Sequence, residues 1–253
     1  MSIWGKVIGG VTGFAVGGPI GALIGAVAGH HVVDKKRDAS DARIGNADKQ
    51  IAFTTAVIVL AAKMAKADGH VSREEVQAFK QVFRIPPDEM AAVGKIFDEA
   101  KRRADGYEAY AEQIGSMFRG EPQVLEELLG ALFHIAKADG EIHPKEIEFV
   151  RRVALLFGFS EHDFQRLQTI YLGNWQDTGG HGSGAPDAYE VLDVPKDASD
   201  AEVKAAYRKL ARENHPDTLM AKGMPEEFIE LANKKLATIN DAYDRVKKER
   251  GIS

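Results

Sequence analysis

Apolar residues recur every three or four positions from residue 48 to residue 172, with polar residues between them. This spacing is typical of amphipathic helices, and no run of comparable length alternates with the period of a β-strand. Capping boxes and early prolines mark the helix starts. The predicted helices begin near Lys49, Arg73, Pro87, Tyr107, Pro122, Pro144 and Glu161, with capping boxes at Ser72 to Glu75 and Ser160 to Asp163. The pattern therefore predicts an all-α bundle over 48–172.

Phenylalanine recurs at helical intervals through the same segment. Aromatic side chains at this spacing are most simply core residues of the bundle. The predicted core set is Phe79, Phe83, Phe97, Phe118, Phe133, Phe149, Phe157 and Phe164.

A second amphipathic pattern fills the C-terminal segment, 187–253. Ser199 and Glu202 form a capping box, so a helix should start at the next residue. It must end before Pro216, which has no amide hydrogen and disfavours the helical conformation of its predecessor. Its packing face is Val203, Ala206, Tyr207, Leu210 and Asn214, and its opposite, basic face is Lys204, Arg208 and Arg212.

A second helix should follow from Pro225, and the two helices should pack as an antiparallel hairpin. The stretch between them begins with His215, Pro216 and Asp217, here called the HPD motif, which is predicted to lie at a rigid, exposed loop entrance. The apolar stripe of the second helix is Phe228, Leu231, Ala232, Leu236, Ile239, Tyr243 and Val246.

This C-terminal segment resembles a J-domain, the module by which DnaJ-type co-chaperones act on DnaK. The resemblance rests on the HPD motif and on residues 188–192, 207–211 and 239–243, which match the family's three helices. It implies that DnaK contact stimulates ATP hydrolysis and that the J-domain itself performs no bond chemistry. The implied DnaK-binding residues are His215, Pro216, Asp217, Lys204, Tyr207, Arg208, Lys209 and Arg212.

Charge argues against a nucleic-acid partner for this segment. Residues 187–253 hold 12 Lys and Arg against 14 Asp and Glu, so only the basic face offers local positive charge. Such a face suits a specific acidic protein partner, but it lacks the interleaved aromatic residues of a nucleic-acid groove.

The N-terminal segment carries a strip of glycines spaced four apart. Val7 to Ala28 is a run of 22 uncharged residues, which at ~1.5 Å per residue is long enough to cross a bilayer. We expect residues 1–34 to form a single transmembrane anchor, with a cleaved signal peptide and a glycine-rich hairpin as alternatives. The strip, which could pack helices into a homo-oligomer, is Gly5, Gly9, Gly13, Gly17, Gly21, Gly25 and Gly29.

A charged juxtamembrane segment, 35–47, follows the anchor. Its cations outnumber those before the anchor, so the positive-inside rule places the body of the chain in the cytoplasm. Together with the resemblance to a DnaK-binding J-domain, this implies an anchor in the bacterial inner membrane. The chain has no cysteine, which excludes disulfides and thiolate metal sites.

The bundle contains an internal repeat. Ala65-Lys66-Ala67-Asp68-Gly69 returns 71 residues later as Ala136-Lys137-Ala138-Asp139-Gly140, and a glutamate follows each aspartate by seven residues. The oxygen ligands that could bind Ca²⁺ or Mg²⁺ are Asp68, Glu75, Asp139 and Glu146. The alternative is structural: the glycines end helices in a left-handed turn and the acids cap helix ends.

The repeat resembles the TerB-like helical domain, a family associated with tellurite resistance and membrane-linked stress complexes. A Gly-rich linker, 173–186, joins it to the J-domain and should let the J-domain reorient. In its order of anchor, TerB-like domain and J-domain, the chain resembles the DjlA family of membrane-anchored co-chaperones.

That resemblance implies a non-enzymatic co-chaperone without a required cofactor, which recruits DnaK to an unknown client at the membrane. The alternative is a metal- or tellurite-stress scaffold with an accessory J-domain. No phosphate-binding loop or nucleophile arrangement favours an enzyme.

Overall fold

The computed structural model describes residues 18–21, 46–68, 76–77, 79–80, 85–102, 106–138, 140, 142–173 and 186–252. Within these ranges the regular structure is helical, as the sequence predicts. The middle domain consists of α1 (Asn46–Asp68), α2 (Met90–Arg102), α3 (Glu108–Met117), α4 (Pro122–Ala136), α5 (Pro144–Leu156) and α6 (Glu161–Leu172).

Helix α1 forms the centre of the middle domain and packs against α2, α3, α4 and α5. Its residues from Ile51 to Ala65 are buried on all sides, including the hydroxyl residue Thr54, whose Oγ1 donates to the carbonyl of Gln50 at 2.9 Å. A helix that is apolar around its whole circumference is stable only inside other helices. This explains why α2, α3, α4 and α5 pack around α1.

Most helix starts agree with those predicted from the sequence. Pro122 and Pro144 occupy the first turns of α4 and α5, and Ser160 and Asp163 form the predicted capping box. The start expected at Pro87 is wrong by three residues, because 87–89 form a turn before α2. Of the predicted phenylalanine core, Phe83 lies outside the described residues, five of the others are buried, and Phe97 and Phe157 are partly buried.

The J-domain consists of α7 (Ala188–Val191), α8 (Asp200–Glu213), α9 (Pro216–Ala221), a 3₁₀ turn (Glu226–Phe228) and α10 (Ile229–Arg250). The capping box of Ser199 and Glu202 is confirmed. Helices α7, α8 and α10 enclose a small core that includes Val203 and Ile239. At its edge the rings of Tyr207 and Tyr243 stack with centroids 4.0 Å apart.

Two details of the J-domain differ from the prediction. The HPD motif begins the short helix α9 instead of a loop: Pro216 occupies its first turn, where a missing amide hydrogen costs nothing. Pro225 precedes a 3₁₀ turn, so the long last helix begins at Ile229, four residues later than expected.

The J-domain packs directly against the middle domain. Leu219, Met224 and Phe228 are almost completely buried in the core of the middle domain, where the Phe228 ring meets Phe53 edge-on at 4.7 Å. Helix α10 also contacts α4 and α6. The J-domain is thus docked in this structure, because the apolar residues that precede α10 are buried in the neighbouring domain. Its reorientation on the linker stays a prediction.

Most of the predicted anchor lies outside the described residues, as do the glycine strip apart from Gly21, the juxtamembrane segment except for Asn46 and Ala47, and the linker at 174–185. The described part, 18–21, is a helical turn in which Ile20 is buried and its amide donates to Gln113 Oε1 at 3.0 Å. No helix within the described ranges is both long enough and apolar enough to span a membrane.

Candidate partner-binding site and its support

The HPD motif lies at the junction of α8 and α9. His215 is the N-cap of α9, and its Nδ1 accepts a hydrogen bond from the amide of Asp217 at 3.2 Å. The side chains of His215 and Asp217 are 53% and 82% exposed, whereas Pro216 is buried. The hydrogen bond orients the imidazole, and both the imidazole and the Asp217 carboxylate face solvent, where a partner can reach them.

The basic face of α8 leads to this motif. Arg208 and Arg212 are exposed, as is the neighbouring Lys209, while Lys204 is partly buried. Tyr207 is positioned by its stacking on Tyr243 and by a hydrogen bond from its hydroxyl to Asn240 Oδ1 at 3.2 Å. The residues that the sequence assigned to DnaK binding are therefore brought together along one helix and the turn that follows it.

Gln123 of α4 contacts the chain on both sides of the HPD motif. Its Nε2 donates to Glu213 Oε2 at 3.3 Å, and its Oε1 accepts from Lys222 Nζ at 2.9 Å. Asn46 of α1 adds a third contact, donating to the carbonyl of Ala221 at 3.2 Å. The middle domain thus supports the turn that carries the motif, a role that nothing in the sequence pattern of Gln123 indicates.

A buried ion cluster lies where α10 meets α4 and α6. It consists of Glu126, Glu127, Arg166 and Lys235, whose side chains are at most 10% exposed. Lys235 Nζ lies 2.6 Å from Glu126 Oε2 and 3.1 Å from Glu127 Oε1, and Arg166 Nη2 lies 2.8 Å from Glu126 Oε1. Because a lysine of the J-domain neutralises two carboxylates of the middle domain, the two domains depend on each other for charge balance.

The two carboxylates of the cluster differ in the direction in which their pKa values are shifted. Burial alone would raise the pKa of Glu126, but Lys235 and Arg166 bring it below its ordinary value. Burial raises the pKa of Glu127, and the weaker attraction of Lys235 does not cancel this effect. The pKa values of the two carboxylates are therefore shifted in opposite directions.

The predicted metal ligands are only partly described. Glu75, Asp139 and the side chain of Asp68 lie outside the described residues, and no group of three or more acidic or histidine side chains within the described ranges could hold a metal. Glu146 is buried and accepts from the amide of His143 at 3.0 Å in a capping box, while Gly140 has a φ of 86°. Both residues fit the structural alternative, and the Ca²⁺ or Mg²⁺ site stays a prediction.

Comparisons with known proteins divide the chain in the order found here. Residues 1–43 match the family model of the co-chaperone DjlA transmembrane domain, 54–169 that of tellurite resistance protein TerB, and 187–250 that of the DnaJ domain. A co-chaperone protein DjlA from Shewanella oneidensis is 36% identical over 266 residues and covers 100% of both chains. The chain belongs to the DjlA co-chaperone family.

Other DjlA relatives agree with this assignment. The proteins from Photobacterium profundum and Vibrio cholerae are each 34% identical, over 99% and 100% of this chain and all of their own length. No solved structure matches the chain significantly. Membership of the DjlA family makes this a co-chaperone with a transmembrane domain, and its J-domain implies a partner of the DnaK type.

Proposed function

We propose that this DjlA-family chain binds a DnaK-type chaperone through the HPD motif and the basic face of α8, and stimulates its ATP hydrolysis. The exposure of four of these residues supports the proposal most directly. His215, Asp217, Arg208 and Arg212 are open to solvent although the opposite side of the J-domain is buried against the middle domain. An exposed row of cations beside a fixed motif favours encounter with an acidic protein surface.

The membrane location of this activity belongs to the same proposal. A glycine-rich inner-membrane anchor with the cations of 35–47 on its cytoplasmic side would keep the J-domain in the compartment that contains DnaK and ATP. Anchoring raises the local concentration of the J-domain at the membrane, and DnaK would be recruited there to clients chosen by the middle domain. The glycine strip would allow several copies to associate.

The test is the steady-state ATPase rate of DnaK with the full chain in detergent. We expect stimulation by the wild type and its loss in His215→Asn. Asparagine is chosen because its side chain keeps an acceptor for the Asp217 amide and remains a good N-cap, while the rest of the imidazole is removed.

Lys248→Ala serves as the control, since Lys248 is an exposed cation of α10 outside the HPD motif and the basic face. It should stimulate DnaK like the wild type. Absence of stimulation by the wild type, or full stimulation by His215→Asn, would contradict the proposal.

The same preparation separates the co-chaperone from the alternative, a metal- or tellurite-stress scaffold. In that case Ca²⁺ should raise the melting temperature, and Asp68→Ala combined with Asp139→Ala should abolish the effect. DnaK stimulation would then be secondary.

A further inference from the structure

A polar cavity of about 110 Å³ lies at the junction of the two domains. The middle domain provides its walls from α4 and α6, and the J-domain provides the wall from α10. The cavity is lined by His134, Lys137, Ile170, Tyr171, Leu231, Lys234, Lys235 and Thr238. It is complete only when the J-domain is docked.

The lining carries cations without a facing carboxylate among the described residues. Lys137 Nζ donates one hydrogen bond to the carbonyl of Tyr171 at 2.8 Å, which leaves two of its three hydrogens for another acceptor. Lys234 is exposed and His134 is partly buried. The ammonium of Lys235 is turned away toward Glu126, so the surplus positive charge belongs to Lys137 and Lys234.

Helix dipoles favour only some of these basic residues. His134 and Lys137 lie at the carboxyl end of α4, where a cation is favoured. Lys234 lies in the second turn of α10, where the helix dipole gives a cation no benefit. Docking therefore brings Lys234 toward the cation Lys137 and toward His134.

The titration behaviour of the lining agrees with this geometry. Partial burial and then the charge of Lys234 lower the pKa of Lys137, and burial followed by the charges of Lys234 and Lys137 lowers the pKa of His134. Behind the cavity wall, Arg166 and Lys235 match Glu126 and Glu127 in number, so the buried ion cluster offers no excess negative charge to offset the lining.

We propose that this junction cavity binds a phosphate group, presented as free phosphate, in a nucleotide or on a lipid headgroup, and that binding stabilises the docked J-domain. A phosphate dianion carries several acceptor oxygens and can bind Lys137 and Lys234 at once. Because its ligands come from both domains, the bound group selects the docked arrangement, and the docking equilibrium shifts by the factor 1 + [L]/Kd.

The first experiment measures the melting temperature of the full chain in detergent against inorganic phosphate, with chloride at equal ionic strength as the reference. We expect a saturable increase with phosphate. Lys234→Ala should weaken phosphate binding at least about tenfold, the factor that corresponds to one lost charge-assisted contact. Lys248→Ala, an exposed lysine of the same helix outside the cavity, should respond like the wild type.

A charge-reversal variant distinguishes loss of the phosphate site from a general loss of stability. Lys234→Glu would place a carboxylate beside Lys137, so it should raise the melting temperature without phosphate and abolish the response to it. A phosphate response retained in Lys234→Glu or unchanged in Lys234→Ala would overturn the proposal.

Two further readouts report the site and the docking separately. In a proton NMR titration, phosphate should raise the pKa of the histidine signal that is missing in His134→Gln. Because the native chain has no cysteine, spin labels on Glu112→Cys and Asp244→Cys, both at exposed positions, can report the interdomain distance. Phosphate should narrow the distance distribution.

The source of the phosphate group is identified by parallel titrations with ADP and with vesicles of phosphatidylglycerol or phosphatidylcholine. A response to ADP alone or to phosphatidylglycerol alone supports the site and names its ligand. If none of the probes stabilises the wild type beyond chloride, the proposal is wrong.

Discussion

The J-domain presents two faces whose charged residues have opposite roles. On α8, Arg208 and Arg212 are exposed and leave the free energy of folding almost unaffected, so they are available to a partner. On α10, Lys235 is fully buried and compensates two carboxylates of another domain. Within one small domain, solvated cations are thus available to bind a partner, whereas a buried cation fixes the position of the domain.

This difference means that the surface proposed to bind DnaK is presented in a defined orientation. The residues around Phe228 and Lys235 attach the rear of the J-domain to the middle domain, and Gln123 supports the HPD motif from the same side. A client that bound and moved α4 would therefore act on both the domain junction and the motif.

Lys235→Ala gives the largest expected effect and tests the buried side of the comparison. It would leave Glu126 and Glu127 buried with Arg166 as the only cation of the cluster, so we expect a loss of about 3–5 kcal/mol in the free energy of unfolding. Chemical denaturation of the full chain measures it. The matched control Lys248→Ala should change stability by no more than about 0.5 kcal/mol, and an equal effect of the two variants would refute the proposed role of the cluster.

Gly130→Ala tests how closely the helices behind the junction approach one another. A Cβ at Gly130 on α4 would overlap the ring of Tyr171 on α6, so one helix must shift, at a cost of about 1–3 kcal/mol. Gly94→Ala in α2 is the control, since its Cβ meets nothing and should stabilise the helix by about 0.5–1 kcal/mol. Thermal unfolding of both variants should give shifts of opposite sign; a stabilised Gly130→Ala would show that Tyr171 is not held there.

These buried residues also show which parts of the fold could be predicted from the sequence and which could not. Amphipathic spacing and capping boxes gave the helices of both domains, because helix periodicity and end signals are local. The domain junction could not be predicted in this way. Lys235 and Arg166 are of residue types that normally face solvent, and their burial depends on carboxylates about 110 and 40 positions away in the chain.

The candidate site shows the same division. The HPD motif and the basic face were recognisable because their residues are close in sequence and belong to a known module. Gln123 was not, since its role comes only from the packing of α4 against the ends of α8 and α9. Local patterns thus indicated the residues proposed to meet a partner, and tertiary contacts determine what holds those residues in place.

Gln123→Ala tests whether a contact from the buried side of the J-domain affects the exposed HPD motif. The loss of its hydrogen bonds to Glu213 and Lys222 should reduce the free energy of unfolding by only about 1 kcal/mol. It should nevertheless reduce DnaK stimulation, because the HPD motif loses its support. The measurement is the concentration of the chain needed for half-maximal stimulation. Gln165→Ala, an exposed glutamine of α6, is the control. Unchanged stimulation by Gln123→Ala would show that the motif holds its conformation without the middle domain.

The pH dependence of stability gives the smallest effect and tests the charge balance at the junction. Burial, Lys234 and Lys137 lower the pKa of His134 from its ordinary value of 6.5, so the folded chain favours neutral His134. This contribution is present above pH 6.5 and is lost as the pH falls through the lowered pKa. The raised pKa of Glu127 acts in the opposite direction, since it adds stability as the pH falls toward its ordinary value of 4.5.

The difference between the wild type and His134→Gln isolates the histidine, because both chains retain Glu127. In a phosphate-free buffer, the wild type should lose more stability than the variant between pH 7 and pH 5, as measured by denaturant midpoints. Parallel profiles would mean that His134 titrates equally in the folded and unfolded chains. In that case the cations of the junction would be solvated like those of α8, and the contrast between the two faces would rest on Lys235 alone.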